Sequence, residues 1–294
     1  MTDLPTILDF ASLKALYGAG TRPAEVMATI ADRMERCDPA AFIHKASRAE
    51  LLAEAEALVE RAPDPSSLPL WGLPFAVKDN IDVAGLPTTA ACPNFAYHPE
   101  ANAPVVARLR AAGAIVIGKT NLDQFATGLN GTRSPYGAPR CVFDAAYVSG
   151  GSSSGSAVAV ASGLAAFALG TDTAGSGRVP AAFNNIVGIK PSPGRISTSG
   201  VVPACRSIDV VTIFAASVAD GIAARRVAEG FDPADAYARR FAETPLPSKL
   251  TIGVPSADER EFYGKEPYRA LYEAAIERAA GLGARIIEFD YRPF

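Results

Sequence analysis

The tract Gly150-Gly151-Ser152-Ser153-Ser154-Gly155-Ser156 runs straight into an apolar segment, Ala157 to Leu169, and this junction constrains the fold more than any other part of the chain. A backbone carrying only small side chains can be approached closely by another group. An apolar segment without a polar face must be covered on nearly all sides. The segment contains Ser162 and Gly163 and is shorter than the ~20 residues needed to cross a bilayer, so the pattern predicts a buried helix from Ser156 to Leu169. The chain can supply the covering core, since it has 294 residues of which 49% are hydrophobic, enough for one large domain or two small ones.

The flanking patterns give the class. Phe10, Leu13 and Leu16, then Val26, Ile30 and Met34, recur at helical spacing, with Thr21-Arg22-Pro23 opening the second helix. Ser47 to Arg61 predicts another helix, with Leu51, Leu52, Ala55 and Leu58 on one face, ended by Pro63 and Pro65 in a loop over 63–69. From Gly72 onward short apolar runs alternate with helical patterns: Pro74 to Val77 as strand, Val105 to Ala112 as helix, Ala114 to Ile117 as strand. Thr251 to Val254, Glu266 to Gly281 and Ala284 to Phe289 predict a closing strand, helix and strand. Such alternation implies an α/β sheet with parallel portions. The chain stops at Phe294 directly after that strand, which predicts a sheet left incomplete at this end.

The 28 basic and 31 acidic residues are interspersed and leave a net charge of −3, so no basic footprint for nucleic acid exists, and a small molecule is the expected partner. The start Met1-Thr2-Asp3-Leu4-Pro5 has no basic n-region and no apolar h-region, which predicts no signal peptide and a cytoplasmic protein. Cys37, Cys92, Cys141 and Cys205 form no CxxC and have no histidine placed to complete a zinc site; reduced structural thiols and no metal are expected.

Two serines sit in these small-residue tracts, Ser152 and, in Gly170-Thr171-Asp172-Thr173-Ala174-Gly175-Ser176-Gly177-Arg178, Ser176. Gly151 to Gly155 matches the GxSxG elbow, which would make Ser153 a nucleophile, but that arrangement needs a later histidine and the chain has only His44 and His98. No lysine follows the glycines as a Walker A loop requires, and no GxGxxG occurs. By composition alone the first tract reads as a flexible linker and the second as an ordinary turn. Against the linker, the first tract leads into an apolar helix whose free N–H groups would attract negative charge. The candidate base is Lys78, at the end of the apolar run Phe75-Ala76-Val77, where burial would leave it neutral and basic; a solvated surface lysine is the alternative.

Taken together, Gly72 to Asn80, Gly150 to Ser156 and Gly170 to Lys190 resemble the amidase signature family of Ser-Ser-Lys hydrolases, over about residues 72–210. Within that family the phrases Lys119 to Gly128, Pro135 to Arg140, Pro180 to Asn185 and Val202 to Ser207 are similar to allophanate hydrolases. The resemblance implies an α/β fold with a mixed twisted sheet covered by helices on both faces, a helical N-terminal arm over 1–70 and a catalytic core over 71–294, one domain in total. It implies Ser176 as nucleophile, Ser152 as bridging serine on a cis peptide, and Lys78 as base. Backbone N–H groups of Thr173, Ala174, Gly175 and Ser176 would form the oxyanion hole. Ser153, Asp172 and Arg178 would support the loop, with Ser154 capping the helix and Arg140 and Arg206 either contacting an anion or forming scaffold. The expected reaction releases ammonia and carbon dioxide from allophanate without a cofactor, with a homodimer as the family expectation. The alternatives are a different amidase, an inactive remnant and one component of a glutamine-dependent amidotransferase.

Overall fold

The computed structural model describes residues 2–242, 245 and 247–293 and divides into two compact units, residues up to Arg240 and residues from Phe241. The first unit contains α1 (Phe10–Gly18), α2 (Pro23–Glu35), β1 (Phe42–Lys45), α3 (Arg48–Arg61), β2 (Pro74–Lys78), α4 (Pro104–Ala111), β3 (Ile115–Thr120), α5 (Ser154–Ala161), β4 (Phe167–Asp172), α6 (Arg178–Phe183), β5 (Val187–Ile189), β6 (Val210–Ala215) and α7 (Val218–Ala228). Its strands form one mixed sheet in the order β1-β3-β2-β4-β6-β5. The central strands β3, β2 and β4 are parallel, while β1, β6 and β5 are antiparallel to their neighbours.

Strand β2 is buried at every position, as befits a central parallel strand covered on both faces. Phe75 stacks on Phe167 of β4 at 5.0 Å, and Phe10 of α1 meets Phe167 edge-on at 5.7 Å. Leu8, Leu13, Val26, Met27 and Ile30 of the N-terminal segment belong to the same buried cluster, and the Tyr17 hydroxyl donates to the Gly72 carbonyl at 2.6 Å. Burying each such side chain is worth ~1.5–3 kcal/mol. Ser47 caps α3 in a reciprocal capping box with Glu50.

The structure corrects the buried helix expected from Ser156 to Leu169. Helix α5 ends at Ala161, and Phe167, Ala168 and Leu169 lie in β4, paired with Phe75, Ala76 and Val77. Gly163 turns the chain with φ of +64°, and a Cβ there would lie 1.8 Å from the Thr6 carbonyl oxygen. Both halves of the run are buried all round, so no periodicity separates helix from central strand. The expectation that α5 is covered on nearly all sides holds, since all its residues are buried; it packs on β2, β3, β4 and β6.

The second unit contains β7 (Thr251–Pro255), α8 (Glu266–Gly281) and β8 (Arg285–Phe289), the strand-helix-strand expected from sequence. Strands β7 and β8 pair in parallel from Thr251 with Arg285 to Pro255 with Phe289. Within it Arg260 bonds Glu273 at 2.9 Å and Glu288 at 3.2 Å. Phe294, where the sequence reading placed an incomplete edge, lies outside the described residues. Among the described residues no helix is long and apolar enough to cross a membrane.

Candidate active site

The sheet topology gathers the candidate residues at one edge. Lys78, Thr120 and Asp172 end the parallel strands β2, β3 and β4, with Lys78 in register with Thr120. Strand β6 is antiparallel to β4 with Val210 opposite Asp172, which brings the preceding residue, Asp209, to the same edge. Carboxyl ends of parallel strands are where open α/β sheets place their ligands.

Lys78 is fully buried. Its Nζ donates to Ser152 Oγ at 2.8 Å and to Thr171 Oγ1 at 2.7 Å. Burial pulls the amine down from 10.5 to about 7, against the opposing pull of Asp123, Asp172 and Asp209. At neutral pH a large fraction is therefore uncharged and able to take a proton. Ser152 is fully buried, follows a cis peptide from Gly151, and accepts the Asp123 N–H on its carbonyl at 3.1 Å.

Ser176 lies just past the end of β4 with a backbone tie to the other serine tract, since Ser153 N–H donates to its carbonyl at 3.2 Å. Its hydroxyl donates to the Gly128 carbonyl at 3.3 Å rather than to Ser152. Ser153 Oγ donates to the Thr171 carbonyl at 3.1 Å and accepts the Thr171 N–H at 3.2 Å, binding the start of α5 to the end of β4. The helix cap expected of Ser154 is not formed: its hydroxyl instead donates to the Asn121 carbonyl at 3.4 Å.

Asp172 organises the loop that carries Ser176. Its Oδ1 accepts the Gly175 N–H at 2.7 Å, its Oδ2 accepts those of Gly177 at 3.0 Å and Arg178 at 3.2 Å, and Arg178 adds Nε and Nη2 at 3.0 Å each. Burial pushes the Asp172 carboxyl up, but the bonds from Arg178, Gly175 and Gly177 outweigh it and hold the group below the usual carboxylate range. One expected oxyanion donor is thereby removed, because the Gly175 N–H is committed to Asp172. Gly175 instead provides the bend, with φ of +130°. Among the described residues the N–H groups of Thr173, Ala174 and Ser176 have no protein acceptor. Of these, Ala174 is exposed, Thr173 half-buried and Ser176 buried.

Several residues here carried no signal of their own in the sequence. Thr171 contacts the lysine directly. Asp209 accepts the Thr173 hydroxyl and the Ala204 N–H, the latter at 2.9 Å, linking the Ser176 loop to the segment after Val202. Asn80 Nδ2 donates to the Val202 carbonyl at 3.0 Å. Neither histidine joins the site: His44 is in β1 and His98 is exposed. Arg140 and Arg206 are exposed, and all four cysteines are free.

The family model described as Amidase matches residues 25–294. The chain is 51% identical to urea amidolyase of Saccharomyces cerevisiae over 257 residues, 86% of this chain and 14% of that protein. It is 52% identical to urea amidolyase of Lachancea kluyveri over 260 residues, 87% of this chain and 14% of that protein. It is also 42% identical to a component of the glutamyl-tRNA(Gln) amidotransferase of Symbiobacterium thermophilum, covering 96% of this chain and 60% of that protein. The solved structure of Kluyveromyces lactis allophanate hydrolase superposes with a TM-score of 0.89 at 43% identity, over 98% of this chain and 48% of that one. The chain thus spans a minor part of the urea amidolyases and about half of the allophanate hydrolase. An α/β sheet that sets a buried lysine against a serine tract, a family model that matches nearly from end to end, and relatives of this similarity have one common meaning: the chain belongs to the amidase family.

Proposed function

We propose that the chain is the catalytic amidase portion of an allophanate hydrolase, cleaving a carbon–nitrogen amide bond through a seryl ester. The observation that carries the reading is the fully buried Lys78 amine, 2.8 Å from Ser152 Oγ and pulled down to about 7, so that a large fraction is neutral near pH 7. Ser176 Oγ attacks the carbonyl carbon and passes its proton to Ser152, whose own proton goes to Lys78 Nζ. The developing oxyanion is held by the N–H groups of Thr173, Ala174 and Ser176, where each lost donor costs ~3–4 kcal/mol in comparable sites. The lysine returns its proton to the departing nitrogen, ammonia leaves, and water cleaves the ester by the same relay in reverse. Asp172 and Arg178 hold the loop in place, and Ser153 fixes the two serine tracts to β4.

With allophanate, attack at the terminal carbamoyl group releases one ammonia, and the remaining carboxylated fragment decomposes to a second ammonia and carbon dioxide. Similarity to urea amidolyase and to the K. lactis allophanate hydrolase supports this substrate over other amides. In this reading the enzyme works in the cytoplasm on a small molecule, without a cofactor, as the homodimer expected of the family. The helical arm of residues 1–70 then packs on the catalytic core that follows. The 42% identity to the glutamyl-tRNA(Gln) amidotransferase component supports a second reading, a glutaminase that delivers ammonia to a partner protein.

The test is ammonia release from allophanate, glutamine and simple amides, by the chain and by its Ser176→Ala variant. Turnover of allophanate that vanishes in the variant supports the first reading. Glutamine turnover that requires an added partner supports the second. No turnover of any of them would refute an autonomous amidase.

A further inference from the structure

Four carboxylates stand near the carboxyl edge of the sheet, and their charges are compensated differently. Asp79 pairs with Lys119 at 3.0 Å, and Asp172 pairs with Arg178 at 3.0 Å. Asp209 and Asp123 have no cation within ion-pair distance among the described residues, and Asp123 is the deeper of the two, at 0% exposure against 6%. Arg133 gives Asp123 only its backbone N–H, at 2.8 Å to Oδ1; its guanidinium goes to the Thr127 carbonyl at 3.2 Å.

The other contacts of Asp123 lead to the backbone around the two serines. Its Oδ2 accepts the Gly131 N–H at 3.0 Å, and its own N–H donates to the Ser152 carbonyl at 3.1 Å. A Cβ at Gly151 would lie 2.3 Å from Oδ2, and one at Gly128 would lie 2.4 Å from it, so the carboxylate is pressed against both glycines. Gly151 forms the peptide to Ser152, and its N–H donates to the Leu129 carbonyl at 2.8 Å. Gly128 supplies the carbonyl that receives the Ser176 hydroxyl. One buried carboxylate therefore abuts the backbone that sets both serines.

We propose that Asp123 is a positioning residue, which fixes the Ser152 peptide against the Gly128–Arg133 segment and supplies the fixed negative charge that balances Lys78 when it holds the proton taken from the serines. The proposal rests on the Ser176–Ser152–Lys78 reading above. As the ester forms, the Ser176 proton moves to Ser152 and the Ser152 proton to Nζ, so a fully buried ammonium appears while the negative charge appears on the substrate oxygen. A buried ammonium without a counter-charge is costly. Asp172 already faces Arg178, and Asp209, which also takes the Thr173 hydroxyl, is the less buried of the two carboxylates without a cation among the described residues. Of the three carboxylates that oppose the effect of burial on Lys78, Asp123 has the largest influence.

Asp123→Asn keeps the shape and removes the charge. The first readout needs no turnover: with lysine labelled with 13C at Cε, Lys78 is titrated by NMR in Ser176→Ala and in Ser176→Ala/Asp123→Asn, the resonance being assigned by its loss in Lys78→Met. The expected result is a Lys78 midpoint lower by at least ~0.5 pH unit in the Asn protein. With Ser176 in place, kcat falls at least ~10-fold, KM changes less, and the acid limb of kcat/KM moves to lower pH by the same amount. Wild-type protein that turns over nothing sinks the functional reading and leaves the titration to decide this one. Activity lost with an unmoved Lys78 midpoint, or a wild-type kcat, overturns the proposal. Where the Asn protein does not fold, Asp123→Glu decides: the displaced charge lowers kcat while the midpoint stays, and a Glu variant with wild-type kcat overturns it.

Discussion

Replacing Lys78 by methionine is expected to abolish turnover and, near neutral pH, to make the protein more stable. The folded chain holds the amine at about 7 where the unfolded chain holds it at 10.5. Between those values the unfolded state binds more protons than the folded state, so the stability of the wild type rises with pH across this window. At about 1.4 kcal/mol per pH unit, and with the folded amine half protonated at pH 7, burying it costs roughly 4 kcal/mol near pH 7 and roughly 2 kcal/mol near pH 9. Methionine removes that cost and fills similar space, but it leaves Ser152 Oγ without the lysine at 2.8 Å, while Thr171 Oγ1 retains Asn80 Nδ2 at 3.4 Å. A buried hydroxyl left unpaired costs ~1–3 kcal/mol. The variant should therefore exceed the wild type by about 1–3 kcal/mol near pH 7 and match it near pH 9. Trp71 is the single tryptophan and is buried in the unit that contains Lys78, so its fluorescence in urea titrations at several pH values reads the right transition. A stability difference that does not change between pH 7 and 9 would refute the argument, because it would mean that Lys78 titrates alike in folded and unfolded chains.

Three further outcomes follow from the geometry. Ser176→Ala should eliminate ammonia release while leaving the urea midpoint nearly unchanged, since the Ser176 hydroxyl makes one long bond, 3.3 Å, to Gly128; a variant that keeps its turnover would remove Ser176 from the mechanism. Phe75→Ala should cost ~3–5 kcal/mol in the same titration, because the ring is fully buried and stacked on Phe167; a loss below ~1 kcal/mol would contradict the packing. Ser47→Ala breaks the capping box on α3 and should cost ~1 kcal/mol without altering turnover, as measured by urea unfolding and ammonia release.

Features that depend on short spacing were legible in the chain before it folded. The small residues around Ser152 and Ser176, the apolar approach to Lys78, the helices opened by Pro23 and Ser47, and the 251–289 strand-helix-strand are each read within a few turns or strands of chain. Long-range contacts decided the rest. Phe167 to Leu169 became strand because they pair with Phe75 to Val77, a contact that no local pattern announces. The Gly175 N–H, expected from sequence to serve as an oxyanion donor, is taken by Asp172, which turns back to accept it. Asp123 and Asp209 look like ordinary acidic residues in the sequence; they reach Lys78 only because three parallel strands end together and β6 returns antiparallel beside them. Short-range propensity acts along the chain, whereas burial, counter-charge and hydrogen-bond commitment act between segments far apart in it, so only the folded sheet edge could set the chemistry of the lysine.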